Sequence, residues 1–232
     1  VNKYPNLNFF ALVQNFYGAK SAIESGLKLV TYVTSVSESH NKANVNRTVE
    51  ESIEELKKIK DHYPDLNICF DVATAFGCPF EGLTPVEKVI DFVGEIVELG
   101  IEYINICDTI GIATPDHVKD LISKLIKHYP QVIFEAHIHD TRNMGMLNSL
   151  TAIEAGIHGI QTSIGGLGGC PFAPGASGNT STEDLVYMLN KMGYDTGIDF
   201  SKLLEVAKYT RQNVDGNYSG HHINISKEHC IY

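Results

Sequence analysis

The chain has 232 residues and a formal net charge of −10 at pH 7, with 43 % hydrophobic and 20 % charged residues. This is an ordinary globular composition, and the length is sufficient for one sizeable core. The acidic balance argues against nucleic acid or an anionic membrane surface as the partner. Because no run approaches about 18 apolar residues, no membrane-spanning helix is predicted.

The five cysteines indicate a reducing compartment. Their number is odd, and no two of them have the spacing CxxC. A domain of this size needs no disulfides to hold it together, so we expect free thiols. The first residues form neither a signal peptide nor a transit peptide, and the lack of an initiator Met suggests upstream sequence.

Apolar runs of strand length alternate with longer segments of helical period. The predicted strands cover residues 7–13, 29–36, 66–73, 101–107, 132–139 and 159–164. The predicted helices cover residues 14–25, 48–63, a segment from 84 onward, 114–128, 144–155, 182–192 and 200–213. Thr48 and Glu51 form a capping box at one helix start. Thr84 and Thr114 each precede a proline, which predicts a cap followed by proline at the first helical position.

Strands that alternate with helices predict βα units and a parallel sheet. The strand runs are apolar on both faces, as a sheet covered on both sides requires. No GxGxxG follows the first strand and no GxxxxGK[ST] occurs in the sequence. A barrel is therefore favoured over a dinucleotide-binding or P-loop fold. Catalytic groups in such a barrel lie at the C-terminal ends of the strands, where the polar residues of this chain collect.

Residues 163–172, SIGGLGGCPF, place Cys170 between a run of glycines and a proline. Glycine is used where the backbone needs a positive φ or approaches a ligand closely. A thiol on such a loop would be able to move into and out of a site. On spacing alone, a glycine-rich turn with an incidental cysteine is an equal alternative.

His137 and His139 stand at the end of a predicted strand with one residue between them. Side chains alternate along a strand, so both imidazoles lie on one face and can present two nitrogens to one cation. Asp140 follows at once, where a carboxylate would be able to orient an imidazole. For an arbitrary HxH, a polar strand end is the commoner interpretation.

Three more polar positions have an ordinary structural interpretation. Asn179, in the segment GASGN, would cap the next helix, and Thr180 with Glu183 would form a capping box. Asp108, in the segment DTIG at the end of a predicted strand, would be held by backbone donors of a turn.

Taken together, these segments resemble one family. SIGGLGGCPF, HIHDT, DTIG and the segment GCPFEG at residues 77–82 are similar to motifs of the 3-hydroxy-3-methylglutaryl-CoA (HMG-CoA) lyases, which belong to the DRE-TIM metallolyases. The resemblance runs from about residue 9 to 218 and is closest over residues 108–189. Three positions beside the motifs depart from it: Cys107 and Asn143 stand where Gly is common, and Gln161 where Asp is usual.

The resemblance implies a (β/α)8 TIM barrel that is incomplete at the N-terminus, with about six of the eight βα units. Residues 7–13 would then be the third strand of the family's barrel. We expect residues 1–232 to form a single barrel-type domain, with a C-terminal helix and tail from about residue 200.

The resemblance also assigns roles to residues. His137, His139 and Asn179 are the implied ligands of a divalent cation, Mg²⁺ or Mn²⁺ by preference. Cys170, His137 and Asp108 are the implied catalytic residues. Asp140 and Glu183 are implied to support the site, and Cys78 in GCPFEG is read as structural or substrate-lining. The family's remaining ligand is an Asp directly after an Arg on the first strand, and neither has a counterpart in this chain.

The implied activity is retro-aldol (Claisen-type) cleavage of HMG-CoA to acetoacetate and acetyl-CoA, as in leucine degradation and ketone body formation. A related lyase for another 3-hydroxyacyl-CoA, a Claisen condensing enzyme and an inactive fragment are the alternatives, and the cysteine loop disfavours the condensing enzymes. The 232-residue chain alone is predicted to be nearly inactive, since the Asp and Arg are missing. A homodimer is expected, located in the bacterial cytoplasm or the mitochondrial matrix.

Overall fold

The computed structural model describes residues 3–169, 171–172 and 178–225. Six strands form one sheet in which every neighbouring pair is parallel, in the order β1-β2-β3-β6-β7-β8. These strands are β1 Phe10–Val13, β2 Leu29–Ser35, β3 Asn67–Ala73, β6 Tyr103–Asp108, β7 Ile133–Ile138 and β8 Gly159–Gln161. The prediction of a parallel α/β sheet with six strands is confirmed.

Eight α-helices lie in the described part of the chain, mostly between the strands. They are α1 Phe16–Glu24, α2 Glu38–Val45, α3 Val49–His62, α4 Val86–Glu98, α5 Pro115–His128, α6 Gly145–Glu154, α7 Thr182–Lys191 and α8 Phe200–Asn213. A short antiparallel hairpin, β4 Gly77–Cys78 with β5 Gly82–Leu83, follows β3. Two 3₁₀ helices cover Ile164–Gly166 and His222–Asn224. No helix within the described residues is long and apolar enough to cross a membrane.

The helix starts test the capping predictions. The capping box of Thr48 and Glu51 is present at α3, and Thr114 caps α5 with Pro115 at its first turn. The prediction for α4 is wrong by one residue, because Pro85 occupies the cap position and no side chain caps the helix. The hydroxyl of Thr84 instead donates to the Thr74 carbonyl at 2.7 Å, which joins the hairpin to the end of β3.

The core lies between one face of the sheet and the helices. Strand residues on this outer face are fully buried and apolar, for example Phe70, Ile106 and Phe134. They pack against apolar stripes of the amphipathic helices α3, α4 and α5. Burying this surface is the main favourable term in the stability of the sheet.

The other face of the sheet is polar, and this contradicts the prediction of strands that are apolar on both faces. It carries side chains that alternate with the core residues: Thr31, Cys69, Asp71, Asn105, Glu135 and His137. Phe10 of β1 and Gln161 of β8 line one cavity of about 240 Å³ although their strands stand at opposite ends of the sheet order. The sheet is therefore curled, and the polar residues lie on its inner face.

Candidate active site

His137 and His139 lie side by side at the C-terminal end of β7. Their ring centroids are 5.1 Å apart and the ring planes meet at 60°. Burial lowers the pKa of both imidazoles, and the charge of His137 lowers that of His139 further, to about 4. Both rings are therefore neutral at pH 7 and keep a nitrogen lone pair for a cation or a proton.

Asn179 is brought to these histidines by a bridge between two loops. An isolated antiparallel β-bridge pairs Asn179 with His139. The side-chain amide donates to the carbonyl of Leu167 at 3.0 Å. It also lies close enough to His137 to raise the pKa of that ring, which offsets part of the effect of burial. The structure thus brings together the three residues that the sequence predicted as metal ligands.

These three residues fit a divalent cation. Two buried polar atoms, Nδ1 of His139 and Oδ1 of Asn179, make no hydrogen bond of normal geometry within the described residues. Leaving such atoms without a partner is costly, and a cation would satisfy acceptors of this kind. The described residues contain no cluster of three His, Cys, Asp or Glu side chains that could hold a metal. The donor set is therefore two imidazoles and one amide oxygen, which leaves positions open for water or substrate.

The glycine-rich segment approaches Asn179 closely. Gly168 has φ +117°, and a Cβ built on it would lie 2.6 Å from Nδ2 of Asn179. A side chain at this position would therefore displace the amide from His137. The predicted proton donor, Cys170, lies outside the described residues, as do Gly175, Ala176 and Ser177 of the GASGN segment.

Glu183 supports this segment from below. It is fully buried, and its Oε2 accepts a hydrogen bond from the backbone N–H of Gly165 at 2.9 Å, whereas Oε1 has no partner among the described residues. The capping-box alternative is wrong, because Ser181 is the N-cap of α7 and accepts from Asp184 N–H. Thr180 instead donates its hydroxyl to the Ile138 carbonyl at the end of β7.

The segment after α8 packs behind the same loop, which the sequence did not predict. The N–H of Gly220 donates to the Gly165 carbonyl at 2.9 Å. The carboxylate of Asp184 accepts from the backbone N–H groups of His221 and His222 at 2.7 and 2.9 Å. The start of α7 therefore fastens the C-terminal segment to the site.

Asp108 takes the structural position that the sequence left open. Its two carboxylate oxygens accept from the N–H groups of Ile112 and Ala113, at 2.9 and 3.0 Å, and the residue is fully buried. Burial raises the pKa of this carboxyl. In register, Asp108 pairs with Ile138 and Cys107 pairs with His137, so Asp108 leaves its strand on the face opposite to His137. Its carboxylate holds the turn beside the site.

Asp140 and Asn143 shape the turn after the histidines. Oδ1 of Asp140 accepts from Gly145 N–H at 2.6 Å, at the start of α6, and burial raises the pKa of the carboxyl. Asn143 has φ +58°, in the left-handed region that favours glycine. This explains why Gly is common at that position in the family that the sequence resembles.

Sequence reasoning missed a second polar cluster on the inner face, one row below His137. Asp71 accepts from the Asn105 amide at 2.8 Å. Glu135 accepts from the Tyr103 hydroxyl at 2.5 Å and from the Gln161 amide at 3.1 Å. The signal was present as polar residues at every second position of β3, but this strand was read as apolar throughout.

A curled parallel sheet with neutral imidazoles and an amide at the strand ends defines a barrel-type α/β protein with a site for a divalent cation. Within that class, the sequence family described as HMGL-like matches residues 9–209. Because this match covers most of the chain, the protein belongs to the HMGL-like family. The family suggested by the sequence motifs is thereby confirmed.

The similar proteins are HMG-CoA lyases. The chain is 37 % identical over 216 residues to hydroxymethylglutaryl-CoA lyase YngG of Bacillus subtilis, with 92 % of this chain and 72 % of that protein covered. It is 37 % identical over 214 residues to the human mitochondrial hydroxymethylglutaryl-CoA lyase, with coverages of 91 % and 66 %.

Among solved structures, an HMG-CoA lyase from Acinetobacter baumannii, in complex with coenzyme A and 3-methylmalate, superposes with a TM-score of 0.91 at 33 % identity. The alignment covers 98 % of this chain and 75 % of that one. The chain therefore matches about two thirds to three quarters of the length of these relatives.

Proposed function

We propose that this protein is a carbon–carbon lyase that cleaves HMG-CoA to acetoacetate and acetyl-CoA with the help of a divalent cation. The observation that carries the proposal is the convergence of two neutral imidazoles and one amide at the strand ends of a chain that belongs to the HMGL-like family. The relatives that the chain matches are named for this activity.

The cation would be held by His137, His139 and Asn179. Because this donor set mixes nitrogen and oxygen, Mg²⁺ or Mn²⁺ is the proposed metal. When bound, the cation lowers the pKa of the tertiary hydroxyl of the substrate and fixes it beside the thioester carbonyl. The Asp and Arg that would complete such a site have no counterpart among these 232 residues.

His137 is the proposed base. It is neutral at pH 7 because burial lowers its pKa, so it is able to accept the proton of the substrate hydroxyl. As the hydroxyl becomes a carbonyl, the bond between C2 and C3 breaks and its electron pair moves to the thioester half as an enolate. Asp108 contributes by fixing the turn next to β7, and Asp140 by fixing the start of α6.

Cys170 is the proposed acid that returns a proton to the enolate carbon. An ordinary thiol has a pKa of about 8.5, which makes it a competent donor to a carbanion at neutral pH. Glu183 supports this step through Gly165, in the same glycine-rich segment as the thiol. The substrate is an acyl-CoA, and a homodimer in the bacterial cytoplasm or the mitochondrial matrix is proposed.

The test is cleavage of HMG-CoA, measured as acetoacetate formed with and without Mg²⁺ or Mn²⁺ after treatment with a chelator. It compares the product of the full reading frame with the 232-residue chain. We expect metal-dependent cleavage by the first and almost none by the second, which lacks the Asp and Arg. Failure of the full-length product to form acetoacetate would refute the proposed function. Turnover by the 232-residue chain would refute the predicted inactivity.

A further inference from the structure

The inner face carries a row of polar side chains that the proposed chemistry does not use. Asp71, Asn105 and Glu135 pair in register across β3, β6 and β7, and we call these three residues the floor. His137 stands two residues after Glu135 on the same face of β7. The floor therefore lies one row, about 6.6 Å, deeper in the curled sheet than the first metal ligand.

The floor is rich in hydrogen-bond acceptors and incompletely satisfied. Asn105 is fully buried and donates to Oδ1 of Asp71 at 2.8 Å, while its own Oδ1 has no partner among the described residues. Nearby, the buried hydroxyl oxygen of Thr31 lines the 240 Å³ cavity and also lacks a partner. Buried polar atoms without partners indicate that an occupant belongs there. That occupant must bring a hydrogen-bond donor for the amide oxygen of Asn105.

No cation is available at this level to neutralise an anion. None of the six strands of the sheet contains a Lys or an Arg. Glu135 is already hydrogen-bonded through both oxygens, by Tyr103 and Gln161. An added Cβ on Gly159 would lie 2.8 Å from Oε1 of Glu135, so the absence of a side chain there makes room for this carboxylate. Asp71 keeps one oxygen that accepts no hydrogen bond from the described residues.

The proposed function determines which part of the substrate points towards the floor. The hydroxyl and the thioester carbonyl are held at the strand ends, and the coenzyme is far too large for a cavity of about 240 Å³. The coenzyme must therefore leave through the mouth. The free carboxyl group lies on the other side of the hydroxyl-bearing carbon, two carbon–carbon bonds away, and points inward.

We propose that the free carboxyl group of the acyl-CoA binds Asp71 on the floor as a carboxyl–carboxylate pair that shares one proton. This inference rests on the proposed function for the direction in which the substrate lies. Two carboxylates cannot both stay ionised at close range in a buried site, and one shared proton removes the repulsion. Asp71 is then a specificity-determining residue for substrates with a distal carboxyl group.

The surroundings of Asp71 support a proton at this position. Burial raises its pKa to about 7, the charge of Glu135 raises it further, and the Asn105 amide opposes the shift. The titratable side chains that face it are, by strand, Cys69 on β3, Tyr103 and Cys107 on β6, and Glu135 and His137 on β7. β2 contributes Thr31 and Val33, which do not titrate. Binding of the substrate above pH 7 therefore takes up one proton from solvent.

The test measures the Kd of two CoA esters from pH 6 to 8.5 by titration calorimetry, with the full-length protein in its Cys170→Ala form to slow turnover. One ester is HMG-CoA. The other is 3-hydroxy-3-methylbutanoyl-CoA, in which hydrogen replaces the free carboxyl group. Titration of the coenzyme phosphates and of the histidines affects both esters, so it cancels in the ratio of the two Kd values.

We expect the Kd ratio of HMG-CoA to the neutral ester to rise about tenfold per pH unit above pH 7, since one proton is linked to binding. The substitution Asp71→Asn should abolish this rise and bind HMG-CoA at least tenfold more tightly than wild type at pH 8.5, because an amide donates without a shared proton. Asp199→Asn, at the N-cap of α8, should keep the wild-type profile.

A Kd ratio that does not change with pH, or one whose rise persists in Asp71→Asn, overturns the inference. If both esters bind with the expected ratio but the full-length enzyme forms no acetoacetate, the proposed function fails and the carboxyl site stands. If neither ester binds, both are refuted.

Discussion

Oε2 of Glu183 accepts a hydrogen bond of 2.9 Å from the backbone N–H of Gly165, across 18 residues of sequence. Glu183 lies in the first turn of α7, and Gly165 lies in the 3₁₀ turn that opens the glycine-rich segment. This contact fixes the base of the segment that carries Cys170 to a helix outside the sheet. Glu183 thereby acts on the site through the backbone of the loop.

Replacing Glu183 tests this contact. Glu183→Ala leaves the N–H of Gly165 buried without an acceptor, which costs about 1–3 kcal/mol of unfolding free energy. Glu183→Gln keeps a carbonyl oxygen at that place and should lose less. We expect the Ala variant to lose several degrees in Tm by thermal unfolding and to lose lyase activity more steeply than the Gln variant. Equal losses in the two variants would show that the hydrogen bond is not what matters.

The glycines of the loop differ in what they tolerate. Gly165 has φ +64°, and a Cβ there would lie 2.6 Å from Cδ1 of Tyr218, whereas a Cβ on Gly169 meets no described atom within 4 Å. Gly165→Ala should therefore destabilise the protein by about 1–3 kcal/mol through backbone strain and overlap.

The matched substitution Gly169→Ala should leave stability unchanged or raise it by up to about 1 kcal/mol, since it restricts the unfolded chain. Chemical denaturation of the two variants provides the comparison. Similar midpoints for both would contradict the role assigned to the conformation of Gly165.

The repeating structure was predictable from the sequence because strand and helix periods are local signals. The strand Asn67–Ala73 and the helix Pro115–His128 were predicted within a residue or two. The helix Glu38–Val45 was missed, since its eight residues are largely polar and carry no apolar stripe. The hairpin at Gly77–Leu83 was likewise read as a motif and not as strands.

The site was predictable as far as its motifs reach. HIHDT and GASGN indicated His137, His139 and Asn179, and the structure brings them together. No motif indicated how Asp108 is used, because its partners are the backbone N–H groups of its own turn. The floor could not be predicted from pattern alone, since it is created by the register of three strands and the curl of the sheet.

Asp71 should make stability depend on pH in an unusual direction. Its pKa of about 7 in the folded protein lies above the 3.8 of an unperturbed Asp. The folded state therefore binds the proton more tightly than the unfolded state, and this contribution is fully present below about pH 4 and is lost as pH rises through 7. The shift sets an upper bound of about 4 kcal/mol on the loss.

We therefore expect Asp71→Asn to raise the free energy of unfolding at pH 8 and to change it little at pH 4. Urea denaturation of both proteins at the two pH values provides the measurement. Asp199→Asn is the control, because the pKa of this exposed capping carboxyl is lowered by the Lys202 N–H that it accepts. Equal effects of Asp71→Asn at pH 4 and pH 8 would contradict a buried proton on Asp71.

The ligand assignment predicts how single substitutions change metal affinity without reference to turnover. His139→Ala and Asn179→Ala each remove one of three donors, and we expect the affinity for Mn²⁺ to fall at least tenfold in titrations followed by electron paramagnetic resonance. Asn179→Asp supplies a charged oxygen and should retain or strengthen binding, since hard divalent cations prefer carboxylates. His128→Ala, at the exposed C-terminal end of α5, should bind as wild type does. Unchanged affinity in His139→Ala would place the cation elsewhere, because a ring with a buried nitrogen that lacks a partner would then have no part in holding it.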